Sequence, residues 1–90
     1  MQVVRIFGGE DGESHFEEIE LPYEFIKEVE RTAVEAASGI HFRRYQPGNF
    51  IDFHIAPRRQ YVITLAGQCE IGLGDGTKRI FNPGDVLLAD

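Results

Sequence analysis

The sequence predicts an all-β fold, and three observations carry that prediction. Short apolar runs recur through the second half of the chain, each bounded by glycine, proline or asparagine. Two Asp-Gly pairs, Asp11-Gly12 and Asp75-Gly76, sit between such runs, and glycine accepts the positive φ that tight hairpins need. Ten glycines among 90 residues, with no tryptophan, suit many turns and short strands.

In chain order, Val3–Phe7 reads as a first strand. Glu10-Asp11-Gly12 turns the chain, and Ser14–Leu21 alternates as a second strand with Phe16 and Ile19 as its apolar positions. The segment Pro22–Ala37 breaks the pattern. Phe25, Ile26, Val29, Ala33 and Ala36 or Ala37 are three and four apart, Pro22 suits a helix start and Gly39 a helix end, so residues 22–38 are expected to form a short helix or an irregular packing arm.

From Gly39 the strand signal dominates. Ile40–Tyr45, Phe50–Ala56, Gln60–Ala66, Cys69–Leu73, Thr77–Phe81 and Asp85–Asp90 are six short strand candidates, separated by Pro47-Gly48, Pro57-Arg58, Gly67, Asp75-Gly76 and Pro83-Gly84. Even spacing with a turn at each end predicts an antiparallel sandwich or barrel over residues 40–90, in a single domain spanning 1–90 with residues 1–21 as an N-terminal hairpin.

Side chains alternate across a strand, so parity assigns faces. Phe50, Asp52, His54 and Ala56 share one face, and Ile51, Phe53 and Ile55 the other. Gln60, Val62 and Thr64 share one face, and Tyr61, Ile63 and Leu65 the other. The wholly apolar faces are expected to fill the core or a subunit contact. The mixed faces are expected to line a cavity. Cys69 shares parity with Ile71 and Leu73 and reads as a small buried hydrophobe.

Composition excludes several functions. Apolar residues make up 42% and charged residues 27%, as in ordinary globular chains. Nine basic against fifteen acidic residues leave a net charge of −6, which gives no general attraction to nucleic acid or to anionic lipid. No apolar run approaches the ~18 residues of a membrane span. The opening MQVVRIFGGEDG places acids directly after its first apolar run, unlike a secretory signal. A single cysteine, Cys69, allows neither an internal disulfide nor a zinc–cysteine cluster, so a cytoplasmic setting is expected. GLGDG lacks a following helix and is a hairpin turn rather than a phosphate loop.

Gly48, His54, Gln60 and Gly67 carry a further signal. The segment GNFIDFHIAPRRQYVITLAG resembles the first motif of the cupin superfamily, G-x5-H-x-H-x3–4-E-x6-G, and Pro83-Gly84-Asp85 resembles the turn that opens its second motif. The resemblance covers about residues 40–90. It implies a jelly-roll β-barrel, and in the family a divalent metal held by histidines and a glutamate. Here His54 matches the first histidine, but Ala56 stands at the second and Gln60 at the glutamate. The second-motif histidine would fall beyond Asp90, so the barrel looks shortened at its last strands.

That depleted donor set predicts no full metal centre and no resident cofactor. The alternative is a weak divalent site at Asp52, His54 and Gln60, with His15 and His41 as further donors; a hydrogen-bonded cavity histidine is the plainer reading of His54. Arg58 and Arg59 form either an anion clamp at the barrel mouth or ion pairs with this acidic chain, and Tyr61 lies beside them. Arg43, Arg44 and Tyr45 read as structural or interfacial, and His15 as a surface strand residue. The expected function is therefore a small-molecule-binding module taking a small, anionic organic ligand at His54, Gln60, Arg58, Arg59 and Tyr61. The alternative is a metal-dependent cupin enzyme, an isomerase or dioxygenase of a small metabolite. Exposed strand edges and apolar faces predict a homodimer, with exchanged strands as one way of forming it.

Overall fold

The computed structural model describes residues 1–48 and 58–90. The described residues are all-β: β1 (Gln2–Gly8), β2 (Ser14–Glu20), β3 (Glu24–Ile26), β4 (Val29–Arg31), β5 (Gln60–Ile63), β6 (Cys69–Gly72), β7 (Lys78–Phe81) and β8 (Val86–Ala89). The expected strand Phe50–Ala56, with Asp52 and His54, lies outside them.

A four-stranded sheet in the order β2-β1-β8-β5 organises the molecule. β1 and β2 pair antiparallel from Gln2↔Glu20 to Gly8↔Ser14, as the Asp11-Gly12 turn predicts. β8 runs antiparallel to β5 but parallel to β1, with Val4↔Leu87 and Ile6↔Ala89. The expectation of a purely antiparallel fold is thus corrected at one seam. β8 is reached through a long chain path rather than a hairpin, which leaves either direction open to it. The β6–β7 hairpin forms a separate pair, and the described strands do not close into a barrel.

The sheet has two apolar layers. On one face Ile6, Leu87 and Ala89 meet Ile71 and Phe81 of the β6–β7 hairpin, with Phe16, Val62 and Leu73 at the margin. On the other face Val3, Val86 and Leu88 pack with Met1, Ile19 and Leu21. All four residues of β8 are buried, so this strand is the structural centre.

Turn chemistry explains the hairpins. Glu10-Asp11-Gly12 and Gly74-Asp75-Gly76 are built alike. In each, the glycine has positive φ, and the aspartate Oδ1 accepts the amide two residues on, from Glu13 at 3.0 Å and Thr77 at 2.8 Å. The Thr77 hydrogen bonds hold the Asp75 carboxyl below the usual range. At Asn82-Pro83-Gly84-Asp85, proline precedes a glycine at φ 91°, the Asp85 amide donates to the Asn82 carbonyl, and the Asp85 carboxylate accepts the Asn82 amide at 2.7 Å. This is a type II turn closed on both sides.

The structure corrects the expected helix at 22–38. Residues Glu24–Ile26 and Val29–Arg31 form a β-hairpin turned at Lys27 and Glu28, with φ of 52° and 65°. A short helix is marginal in water unless its apolar stripe packs on something, and the β6–β7 hairpin already covers one face of the sheet. Tyr23, Phe25, Ile26, Val29 and Thr32 are aromatic or β-branched and tolerate the extended form better. Ile40–Tyr45, expected as a strand, joins no ladder among the described residues, and Ile40 and Phe42 are 86% and 80% exposed. No described helix is long and apolar enough to cross a membrane.

Candidate functional site

Alternation along β5 separates the expected ligand-binding residues. Gln60 and Val62 pair with Ala89 and Leu87 and turn toward the β6–β7 layer, where Gln60 is half-buried. Tyr61 and Ile63 pair with Leu88 and Val86 and turn to the opposite face. The apolar parity Tyr61, Ile63 and Leu65 is the exposed one, at 37%, 56% and 69%, and the mixed parity faces the core. The sequence locates the two faces correctly but not which of them is covered, because the cover comes from a distant hairpin.

Arg59 and Tyr61 converge on one carboxylate. Arg59 Nη1 donates to Glu35 Oε1 at 3.3 Å, and the Tyr61 hydroxyl donates to Glu35 Oε2 at 2.5 Å. Each oxygen of Glu35 therefore has its own donor. The hydrogen bond to Glu35, then burial and the Glu35 charge, raise the Tyr61 phenol above its ordinary value, with Arg59 opposing. Arg59 Nε also lies 3.5 Å from Asp90 Oδ1, and Arg5 Nε bonds Asp90 Oδ2 at 3.0 Å. Arg5 continues to Glu17 at 3.4 Å and stacks over the Phe7 ring at 4.3 Å. The result is a chain of alternating charge, Glu17–Arg5–Asp90–Arg59–Glu35, across the mouth of the sheet. Of the two readings of Arg59, ion pairing is what the described residues display. Arg58 is exposed beside it.

The other candidates lie apart. His15 is on β2, its Nε2 3.0 Å from both oxygens of Asp11 and its ring 5.8 Å from that of Phe7. The Asp11 hydrogen bond raises the His15 pKa against some desolvation, and the charges of Asp11, Asp75 and Glu13 add to it. The same bond lowers Asp11. His41 is exposed, between Ile40 and Phe42 in the segment that joins no ladder among the described residues. Cys69 is exposed rather than buried: it shares parity with Ile71 and pairs with the buried Phe81, but it is the first residue of β6, at the edge of the hairpin, and no core cluster includes it.

Metal donors do not gather among the described residues: no group of three His, Cys, Asp or Glu side chains there could hold an ion. Asp52 and His54 lie outside them. Ala56 has no donor atom, and Gln60 supplies a neutral amide, so these residues do not fit the full ligand set that the cupin resemblance implies.

Sequence reasoning missed two features. Glu35 is separated from Arg59 and Tyr61 by 24 and 26 residues, in a segment whose placement the sequence does not give. The second is a groove of about 190 Å³ between the sheet and β7, lined by Gln2, Val3, Val4, Glu18, Arg79, Ile80, Phe81, Asp85 and Val86. Arg79 bonds Glu18 at 2.6 Å across it. No protein family, curated protein or solved structure matches the chain.

Proposed function

We propose that this chain is a small-molecule-binding module of cupin type, without a full metal centre, that takes an organic carboxylate at the start of β5. One observation carries the reading: Arg59 and Tyr61 together grip both oxygens of a single carboxylate. A guanidinium and a phenol so placed suit any carboxylate of similar reach. Ile63 follows on the same face and stands exposed, which favours a ligand with an apolar body. Glu35 is then an internal occupant that a ligand must displace, and Arg5 and Asp90 hold Arg59 in position. The single-cysteine composition, with Cys69 exposed, suits a reducing cytoplasm.

Calorimetric titration with benzoate and succinate tests this. Glu35→Gln is expected to bind benzoate at least fivefold more tightly than the unaltered chain, and Arg59→Ala to lose binding in either background. Tyr61→Phe should weaken binding less than Arg59→Ala. No binding by Glu35→Gln, or binding indifferent to Arg59, would overturn the reading.

A further inference from the structure

We propose that Ile40–Tyr45 of one copy adds as an extra strand to the outer edge of β2 in a second copy. The segment is exposed, and joins no ladder among the described residues of its own chain. It nevertheless alternates like a strand. Ile40, Phe42 and Arg44 fall on one side, and His41, Arg43 and Tyr45 on the other, so each side carries apolar or aromatic surface and one arginine.

The outer edge of β2 offers the complement. β2 ends the four-stranded sheet, and its outer backbone groups have no ladder partner among the described residues. Phe16, Glu18 and Glu20 lie on one of its faces, and His15, Glu17 and Ile19 on the other. Both faces therefore present apolar surface beside carboxylate. Residues 10–20 carry six acids and neither lysine nor arginine. Glu17, Glu18 and Glu20 meet Arg5, Arg79 and the N-terminal amine but stay about half exposed or more, and each can accept a second cation. The opposite end of the sheet, β5, has Arg58 and Arg59 at its start and would set cation against cation.

Surface area points to a partner as well. The chain exposes 7566 Å², whereas a folded chain of 10.2 kDa exposes roughly 5,300 Å². The difference exceeds the ~800 Å² per partner of a standard interface. Its Cα radius of gyration of 14.6 Å likewise exceeds the ~12 Å of a closed domain this long. Reciprocal addition of one strand per copy closes two edges and uses the same patch twice, as a two-fold dimer does.

A charge swap with the full chain tests the proposal, read by light scattering at 5–100 µM, concentrations chosen to span a micromolar Kd. The unaltered chain is expected to be dimeric. Arg43→Glu/Arg44→Glu alone, and Glu17→Lys/Glu20→Lys alone, are each expected to dissociate at least tenfold more readily. Mixing the two should restore a heterodimer, since each reversed segment then meets a reversed edge. Phe42→Pro removes a backbone donor outside the sheet and should also yield monomer, which decides the matter if the β2 variant fails to fold. A monomeric unaltered chain, a dimer that survives both Arg43→Glu/Arg44→Glu and Phe42→Pro, or two folded variants that stay apart on mixing would each overturn it.

Discussion

At the scale of single residues, His15 and Asp11 form the pair whose protonation is most clearly coupled. Their bond raises the histidine pKa and lowers that of the carboxyl. The histidine's contribution is complete below its unfolded pKa of about 6.5 and is lost as pH rises through the raised folded value. The carboxylate's contribution is complete above about 3.9 and is lost as pH falls through the lowered one. The pair is therefore fully formed between roughly pH 4 and 6.5 and loosens outside that window. Asp11→Asn is expected to bring the His15 titration, followed by its ring-proton shifts in NMR, back toward the ordinary histidine value. An unchanged midpoint would mean that Asp75 and Glu13 set it instead.

At the scale of elements, the turns decide the outcome more than the strands. Asp11-Gly12 and Asp75-Gly76 announce hairpins because one residue type supplies the side-chain acceptor and the other the positive φ, and both hairpins form. The β3–β4 turn carries no such signal. Lys27 and Glu28 both occupy the left-handed region, at a cost of roughly 1 kcal/mol each for residues with a Cβ. The helical spacing of Phe25, Ile26 and Val29 is real, yet the same residues are also β-formers, and spacing alone does not reveal whether a helix would have a surface to pack on. Replacing the turn by Lys27→Asn/Glu28→Gly, the pair best suited to it, should stabilise the hairpin by about 1 kcal/mol, equivalent to fivefold slower amide exchange at Val29. Exchange that quickens instead would show that the segment prefers another conformation. The candidate site divides in the same way. Arg59 is legible as half of an Arg58-Arg59 pair at a strand entrance, and Tyr61 as a tyrosine close beside it. Glu35 does not, because its place depends on how a distant arm returns to the sheet.

At the scale of the whole molecule, β8 joins the two halves of the four-stranded sheet. It pairs with the N-terminal strand on one side and with β5 on the other, and it contributes Val86, Leu87, Leu88 and Ala89 to both apolar layers. Half of the eight buried apolar residues among those described are its own. Leu87 is 2% exposed and packs with Ile6, Ile71 and Phe81, the contacts that hold the β6–β7 hairpin on the sheet. Deleting its side chain leaves a cavity where strand and hairpin meet, and Leu→Ala changes of this kind cost about 2–5 kcal/mol. For 90 residues at roughly 0.05–0.15 kcal/mol each, that is a large share of total stability. Leu87→Ala is thus expected to lower the urea midpoint steeply, whereas Ile80→Ala, on β7 with its side chain 52% exposed, should shift it little. If dimers form through β2, both midpoints should also rise with protein concentration, since association stabilises only the folded chain. Equal sensitivity at Leu87 and Ile80 would mean that the hairpin face of the sheet is not the core that holds the molecule together.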